Sequence, residues 1–465
     1  THPLMEVGQD VALSMIIILI ISPSLSMDAG FLLSFGAVTG IALTESFCRK
    51  IISIKMPKLL LSILTGFSLS LFTLPIVLYF FFQIPAFSIF LNLIIVPLMT
   101  ALLLAAMLLM LLGAFGTPLA YLPAYLCHII LVFYKICCRV FTEIPASVIV
   151  AGRPEFWKTV LYYAVFFALL IEIPRLKNMM IKVIFLFPGL FVMLALMFYH
   201  PNSGLEYMML DIGQGDCNYL KSSSGRSYMI DCGSSDEKNI AKYKVVPALK
   251  SMGVSKIDTA VITHSDADHI NGYTELFQME KGEGLEIKTL LMPDIGEPDE
   301  AYRELAELAQ SAGTEVLLIK KGDKFNDGEM SVECLNPEGK SIPEDANSGS
   351  TVLSIKYRNF SLLLTGDVQG ENEKALTDEI TGKYTILKVA HHGSKNSSPE
   401  ELLEKIKPQY AFISCGRNNR YGHPHEETIK KLEKEKSKIS VTAETGAIIV
   451  QTDGKEIKLR RFLEK

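Results

Sequence analysis

The chain has 465 residues, a formal net charge of −5 and a mean hydropathy of +0.28, which is apolar for a soluble protein. Residues 1–200 contain 11 Lys/Arg and seven Asp/Glu, whereas residues 201–465 contain 34 and 43, so the two parts carry formal charges of +4 and −9. The acidic second part excludes bulk electrostatic attraction as a way to hold a polyanion. A break this sharp predicts a domain boundary near His200-Pro201-Asn202.

Seven long apolar runs occupy residues 1–200. A helix needs about 20 apolar residues to cross a hydrocarbon core, and several of the runs reach this length. Buried helices of a soluble domain would not be separated by so few charges. The sequence therefore predicts a polytopic α-helical membrane domain, with runs at 11–23, 30–47, 59–83, 86–113, 118–138, 159–173 and 182–199.

Two basic loops predict the orientation of this domain. Residues 48–58 and residues 174–182 are rich in Lys and Arg, and the positive-inside rule places both in the cytoplasm. Four runs separate the two loops, which returns the chain to the same side. One more crossing by 182–199 places residues 201–465 on the outer face of a cell membrane.

Asn92 and Pro97 interrupt one of the apolar runs. Polar and helix-breaking residues within a membrane usually face an aqueous path or the protein interior, so Asn92 is a candidate for contact with a transported substrate. The alternative is a proline kink with Asn92 hydrogen-bonded between helices. The sequence supports both interpretations equally.

From Leu205 onward, short β-type runs alternate with segments of helical period. The runs include "YMMLDI", "IDTAVIT", "FSLLLTG" and "YTILKVA", and the helical segments include "DEAYRELAELAQSAG" and "SPEELLEKIK". Pro after Ser in the second segment is typical of a helix start. This order predicts an α/β domain over 201–465, with two β-sheets in a sandwich and helices outside.

Histidines and aspartates concentrate where the predicted strands end. Imidazole and carboxylate groups suit Zn²⁺ or Mn²⁺, and six of the nine histidines fall in three such motifs. Their spacing predicts a two-metal site, with His264 and Asp266 on one ion, Asp268 and His269 on the other, and Asp367 between them. The remaining histidines of these motifs are His391, His392, His423 and His425.

The motif "THSDADH" resembles the HxHxDH signature of the metallo-β-lactamase fold, with Asp266 at the position of the second histidine. Together, "DIGQGD", "IDCG", "HSDADHING", "LLLTGD", "VAHHGS" and "YGHPH" resemble the second domain of the ComEC family of DNA-uptake (competence) channel proteins. In the membrane half, "SMDAGFLLSFGAVTGIAL" and "NLIIVPL" resemble the competence segment of that family. The resemblance implies an αββα sandwich and an N-terminal part that this chain, beginning at Thr1, is expected to lack.

The resemblance also implies a function in natural transformation. One DNA strand would pass through the membrane domain, and a metal-dependent nuclease would degrade the other. The expected partners are DNA, membrane lipid, a DNA receptor and a cytoplasmic motor protein. The implied metal ligands are His264, Asp266, Asp268, His269, Asp367 and one of His391 and His392, of which we prefer His392 because Gly393 follows it.

Roles beyond the ligand set follow from the same motifs. We expect Asp268, His264 and His423 to take part in phosphodiester hydrolysis, and Ser394 or Lys395 to contact a phosphate. The third-motif histidine of the fold is absent, and the corresponding region offers three other side chains. Oxygen donors there favour Mn²⁺ over Zn²⁺ for one of the two ions; they are Asn347, Ser348 and Ser350.

Two alternative functions stay open at this stage. The first is a membrane-tethered metallo-hydrolase of another phosphodiester, because a metal site alone does not distinguish substrates. The second is a channel whose second domain guides DNA without cleaving it, which the absent histidine favours. Seven apolar runs are more than a membrane anchor requires, so a channel is the preferred interpretation.

Overall fold

The computed structural model describes residues 3–51, 57–116, 118–144, 146–199, 204–280, 282–340, 342 and 345–463. The chain divides into two compact units. The first consists of Thr1–His200 with Lys250–Val254, and the second consists of Pro201–Leu249 with Ser255–Lys465.

Each predicted apolar run of the first unit forms an α-helix. Two short strands outside these helices, β1 (Gln83–Pro85) and β2 (Val148–Val150), pair antiparallel. The helices are α1 (Pro3–Ile21), α2 (Ala29–Ile51), α3 (Lys58–Phe81), α4 (Ser88–Ala114), α5 (Tyr121–Glu143), α6 (Phe156–Arg175) and α7 (Met179–Phe198). In the described part of the chain, α3 to α7 are long and apolar enough to cross a membrane, and the apolar parts of α1 and α2 are shorter.

Tyrosines on α6 attach this helix to α3. The hydroxyls of Tyr162 and Tyr163 donate to the carbonyls of Leu71 and Phe72, at 2.6 and 2.9 Å. These carbonyls precede Pro75, which lies inside α3 and leaves the carbonyl four residues before it without its usual donor. Leu71 O is that carbonyl, so the buried Tyr162 hydroxyl supplies the missing hydrogen bond.

The polar groups on which the membrane predictions depend have different environments. Asn92 and Pro97 are both exposed on α4, which continues without a break through Pro97. Of the basic loop 48–58, residues 52–56 lie outside the described residues. Of the second basic segment, 174–182, residues 176–178 join α6 to α7, and the rest belongs to those two helices.

The described residues of the second unit form two sheets. The strands are β3 (Leu205–Met209), β4 (Cys217–Lys221), β5 (Ser227–Cys232), β6 (Lys256–Val261), β7 (Glu286–Pro293), β8 (Glu315–Ile319), β9 (Lys324–Asp327), β10 (Met330–Asn336), β11 (Val352–Tyr357), β12 (Phe360–Leu364), β13 (Ile386–Lys388), β14 (Tyr410–Ile413), β15 (Lys438–Val441), β16 (Ile448–Thr452) and β17 (Ile457–Arg461). The order of one sheet is β17-β16-β3-β4-β5-β6-β7-β8, and that of the other is β15-β14-β13-β12-β11-β10-β9.

Helices cover the outer faces of both sheets, so the layers are αββα as predicted. They are α8 (Val246–Ser251), α9 (Ala267–Gln278), α10 (Glu300–Ser311), α11 (Gly370–Glu379), α12 (Glu400–Ile406), α13 (Glu426–Lys434) and α14 (Thr442–Thr445). The main core lies between the sheets, where Tyr207, Ile230 and Val261 meet Val332 and Phe412. A second core packs α11 to α13 against the outer face of the seven-stranded sheet.

The segment that follows β6 is helical although it contains Asn271-Gly272, a pair typical of turns. Helix α9 starts at Ala267 and includes both residues. Gly272 is needed there because a Cβ would lie 2.5 Å from the Sγ atom of Cys232 on β5. Asp268 and His269 therefore project from the first turn of a helix that packs closely on the sheet.

Candidate metal centre

Three buried imidazoles meet where strands of the two sheets end. His264 follows β6, His269 lies in the first turn of α9, and His392 follows β13. Their exposed fractions are 3%, 0% and 1%. The ring centroids of His264 and His269 are 4.1 Å apart, and those of His269 and His392 are 5.4 Å apart.

The two nitrogens of each ring have different surroundings. Each Nδ1 has a nearby oxygen: Thr263 Oγ1 lies 3.0 Å from His264, Asp231 Oδ2 lies 2.9 Å from His269, and the carbonyl of Ser414 lies 3.0 Å from His392. The three Nε2 atoms are buried and have no hydrogen-bond partner among the described residues. Outer partners of this kind fix the orientation of imidazole ligands, so the Nε2 atoms are the available donors.

Carboxylate oxygens lie close to the Nε2 atoms of the three histidines. Asp367 Oδ2 lies 3.4 Å from His269 Nε2 and 3.3 Å from His392 Nε2. Asp268 Oδ2 is 3.5 Å from His392 Nε2, and Asp266 Oδ2 is 3.6 Å from His264 Nε2. Buried imidazole and carboxylate groups with unpartnered nitrogens fit a divalent cation, since such polar atoms are otherwise costly to bury.

The imidazoles change the pKa values of the two neighbouring carboxyls. Burial opposes ionisation of Asp367, but His392, His269 and Lys388 hold the pKa of its carboxyl well below the ordinary value. Burial likewise opposes ionisation of Asp268, yet the contact with His392 and the charge of His269 lower its pKa to about 2. Both carboxyls are therefore ionised at neutral pH, which is the form that binds a cation.

Behind the imidazoles lies a layer of buried charge to which sequence reasoning assigned no role. Lys388 Nζ forms an ion pair with Asp216, donates to the carbonyl of Gly366 at 2.8 Å and lies 3.4 Å from Asp367 Oδ1. Asp216 belongs to a group of possible metal ligands with His269, Asp367 and His392. Its carboxylate oxygens, however, face the Nδ1 atoms of His269 and His392, at 3.8 and 4.0 Å. We therefore place Asp216 in the supporting layer.

The three supporting residues differ in how clearly a role for them could have been recognised. Asp216 ends the motif "DIGQGD" and stands just before a strand, so its position could have indicated a role. Asp231 has a φ of +59°, an unusual conformation for a residue other than glycine that is common at functional sites. Lys388 gives no signal, because a lysine within a short strand normally points to solvent.

The region of the absent third-motif histidine lies beside His264. Ser350 Oγ is 3.4 Å from His264 Nδ1 and accepts from the backbone amide of Asp367 at 3.2 Å, so it supports both residues. Ser348 Oγ is bonded within its own turn to Asp345. Asn347 Oδ1 is buried and lacks a hydrogen-bond partner in the described part of the chain.

The other predicted residues are not all brought into the centre. The Nδ1 atom of His391 lies 3.1 Å from Gln369 Oε1, and the ion pairs of Asp367 with histidines in the described part of the chain involve His269 and His392. Ser394 is buried and its hydroxyl accepts from the Asn396 amide, whereas Lys395 is exposed. Asn92 belongs to the other unit.

His423 lies beside the imidazole group. Its ring centroid is 6.2 Å from that of His392 and 5.7 Å from that of His391, and its Nδ1 is 3.4 Å from Gln214 Nε2. Burial and the neighbouring histidines lower the pKa of His423 to about 4. Its ring is therefore neutral at physiological pH.

Regions of both units match known protein families. Residues 6–176 match the family described as Competence protein, and residues 210–417 match the metallo-beta-lactamase superfamily. Among solved structures, the metallo-beta-lactamase fold protein YhfI from Bacillus subtilis is 13% identical, with a TM-score of 0.35 over 53% of this chain and 99% of that chain.

Curated relatives extend over both regions. ComE operon protein 3 of Bacillus subtilis is 28% identical over 94% of this chain and 57% of its own length. Recombination protein 2 of Haemophilus influenzae is 28% identical over 62% of this chain and 34% of its own length. Competence protein ComA of Neisseria gonorrhoeae is 28% identical over 53% of this chain and 32% of its own length. The chain thus spans between about a third and somewhat more than half of these relatives.

The fold and the buried cluster of aspartates and histidines together indicate a domain that binds divalent metal. The five long apolar helices are those of a multi-pass membrane protein. Residues 6–176 are thus similar to the competence-protein family and residues 210–417 to the metallo-β-lactamase superfamily, in agreement with the resemblance to the ComEC family.

Proposed function

We propose that this protein acts in DNA uptake. Residues 1–200 form a membrane domain that passes one strand of DNA, and residues 201–465 form a metal-dependent nuclease that degrades the other strand. The observation that carries the nuclease assignment is the convergence of three buried, unpartnered Nε2 atoms with the ionised carboxylates of Asp367 and Asp268. A competence-family membrane domain on the same chain supports DNA as the substrate.

The ligands divide into two sets that share Asp367. One set consists of Asp268, His269 and His392, and the other of His264 and Asp266. A divalent cation held by such groups supplies Lewis-acid stabilisation of a phosphoryl group and activation of water. We assign two ions, Mn²⁺ or Zn²⁺. The set with His264 has fewer buried protein donors, and the unpartnered Oδ1 of Asn347 adds oxygen character that favours Mn²⁺.

The remaining groups of the centre act on the substrate or on the ligands. Neutral His423, held near Gln214, would hydrogen-bond a phosphate oxygen or the leaving oxygen. Lys388 lies near Oδ1 of Asp367, whereas Oδ2 faces the imidazoles, so the ammonium group would orient a carboxylate that holds a cation. Lys388 is thus a positioning residue, and it also offsets the charge of Asp216.

The membrane orientation completes the proposal. Basic residues at both ends of the α3–α6 segment support a cytoplasmic position for those loops, from which α7 would bring residues 201–465 to the outer face of the cell membrane. Duplex DNA would reach the nuclease from a receptor outside the cell. A cytoplasmic motor protein would draw in the surviving strand.

The test uses the purified full chain with end-labelled single-stranded DNA, in Mn²⁺ or Zn²⁺, with and without chelator. We expect metal-dependent cleavage that chelator abolishes. The adjacent histidines provide matched variants, because only His392 faces Asp367. His392→Ala should remove cleavage and weaken metal binding, whereas His391→Ala should keep metal binding.

The outcomes separate the alternatives. Metal and DNA binding without cleavage in either metal would favour a domain that only guides DNA, for which the absent third-motif histidine argues. Cleavage of a small phosphodiester, such as bis(4-nitrophenyl) phosphate, with no action on DNA would indicate another phosphodiester substrate.

A further inference from the structure

The loop 416–423, between β14 and α13, is unusual in this acidic domain. It contains Arg417, Arg420 and Tyr421 and no Asp or Glu, in a domain whose formal charge is −9. Both arginines and the tyrosine are exposed, and Tyr421 exposes 44% of its surface. The loop ends at His423, which places this basic and aromatic group beside the metal centre.

Three side chains of this region form a stack. The ring of Tyr421 is nearly parallel to that of His423, with an interplanar angle of 19° and a centroid separation of 5.7 Å, which is an offset arrangement. The guanidinium carbon of Arg420 lies 4.9 Å from the centroid of the Tyr421 ring, and Nη2 of Arg420 donates to the Tyr421 hydroxyl at 2.7 Å. The stack runs from solvent through Tyr421 to His423, whose ring is 6.2 Å from that of His392.

Asn419 holds the backbone of this loop in place. Its Nδ2 donates to the carbonyls of Gly416 and His423, at 2.9 and 2.6 Å, and its Oδ1 accepts from the amide of His423 at 2.9 Å. Gly422 has a φ of +73°, which allows the tight turn between Tyr421 and His423. An aromatic platform on a fixed backbone binds a planar ligand with little loss of conformational entropy.

We propose that Arg420 and Tyr421 form a nucleotide subsite for single-stranded nucleic acid, in which an unpaired base stacks on Tyr421 in the place of the exposed Arg420 guanidinium, and Arg420 turns to contact a neighbouring phosphate. This inference rests on the proposed function and names the form of substrate that the centre accepts. Base stacking on aromatic side chains binds single strands without sequence preference, and it requires a base that is free of a duplex. Stacking also supplies affinity that the net charge of this domain does not.

The test measures binding separately from cleavage, by using the full chain in chelator. One probe is a single-stranded oligonucleotide, and the other is an abasic oligonucleotide with the same number of phosphates. The wild type should prefer the base-bearing strand, and Tyr421→Ala should lose roughly five- to hundredfold in affinity for that strand alone. Tyr421→Trp should keep the preference. Arg420→Gln should weaken both probes similarly and reduce the salt dependence of binding, because it removes a phosphate contact.

Tyr243 provides a matched control. It is an exposed tyrosine with the ammonium of Lys242 5.8 Å from its ring centroid, and among the described residues it makes no ring contact with a histidine. Tyr243→Ala should bind both probes as the wild type does. Equal affinity of the wild type for the two probes, or an unchanged preference in Tyr421→Ala, would overturn the subsite.

A parallel cleavage assay in Mn²⁺ keeps this inference distinct from the proposed function. A wild type that shows the base preference but cleaves no DNA would refute the nuclease and retain the subsite. A wild type that cleaves DNA with no base preference would refute the subsite and retain the nuclease.

Discussion

Glu373 offers a quantitative test of how the metal-centre loop is held. This residue of α11 is 2% exposed, and its Oε1 accepts from the amide of Ser398 at 2.8 Å. Ser398 ends the loop that begins at Ala390 and carries His391 and His392. Burial raises the pKa of Glu373 from 4.5 to about 8, although the Ser398 amide and the charge of Lys431 oppose this change. The carboxyl is therefore neutral in the folded protein at pH 7.

The sign of the pH effect follows from this difference. In the unfolded chain Glu373 ionises above pH 4.5, whereas in the folded chain it retains its proton up to about pH 8. The folded state thus binds more protons in this window, and stability falls as pH rises from 4.5 to 8. A separation of about 3.5 pH units, at 1.36 kcal/mol per unit, sets an upper limit of about 5 kcal/mol for this loss.

Glu373→Gln should remove this loss, because an amide does not ionise and its Oε1 can accept the same hydrogen bond from Ser398. We expect the variant to gain about 3–5 kcal/mol relative to the wild type between pH 4.5 and pH 8.5. The assay is urea denaturation of residues 201–465 followed by far-UV circular dichroism across this range. Glu371→Gln, an exposed change on the same helix, should alter stability by less than about 0.5 kcal/mol at every pH. Parallel pH profiles for the wild type and Glu373→Gln would refute the assignment of a buried neutral carboxyl.

Four further predictions test the site and the membrane domain. Asp268→Ala should abolish metal-dependent DNA cleavage in a protein that stays folded by circular dichroism, because its carboxylate lies 3.5 Å from His392 Nε2; a wild-type rate would exclude it as a ligand. Lys388→Met should cost about 3–5 kcal/mol in urea denaturation, because it leaves buried Asp216 without its counter-ion, and Lys388→Met with Asp216→Asn should recover most of this loss; a double variant as unstable as the sum of the singles would show that the pair is not coupled. A cysteine at exposed position Ser235, in a background without native cysteines, should react in intact cells with a membrane-impermeant thiol reagent once the wall is permeable; reaction only after lysis would reverse the orientation. If Asn92 lines the DNA path, Asn92→Leu should lower DNA uptake by the full-length protein while the amount of protein stays normal. A fall in uptake that is proportional to a fall in protein amount would instead show that Asn92 contributes to helix packing.

Local sequence pattern predicted much of the architecture. The apolar runs marked α1 to α7 in the described part of the first unit, because a helix in a membrane needs a long uninterrupted apolar segment. The strand-end position of His264, Asp367 and His392 was also evident, since short β-type runs precede each of them. Several strands were missed, among them β4, β7, β10 and β17, and so was α9, whose Asn-Gly pair is typical of a turn. Close packing on β5 overrides that local preference.

What the sequence determined by itself was the list of chemically suited side chains and the apolar segments, because both depend on residue type and on spacing of a few positions. Tertiary structure alone decided which nitrogen of each imidazole is available, since Asp231 and the carbonyl of Ser414 come from elements far away in the chain. It also decided that Lys388 faces inward to Asp216, a partner 172 positions earlier in the chain. Such pairs depend on how two sheets bring distant strand ends together in space, and no local pattern of residues records that arrangement.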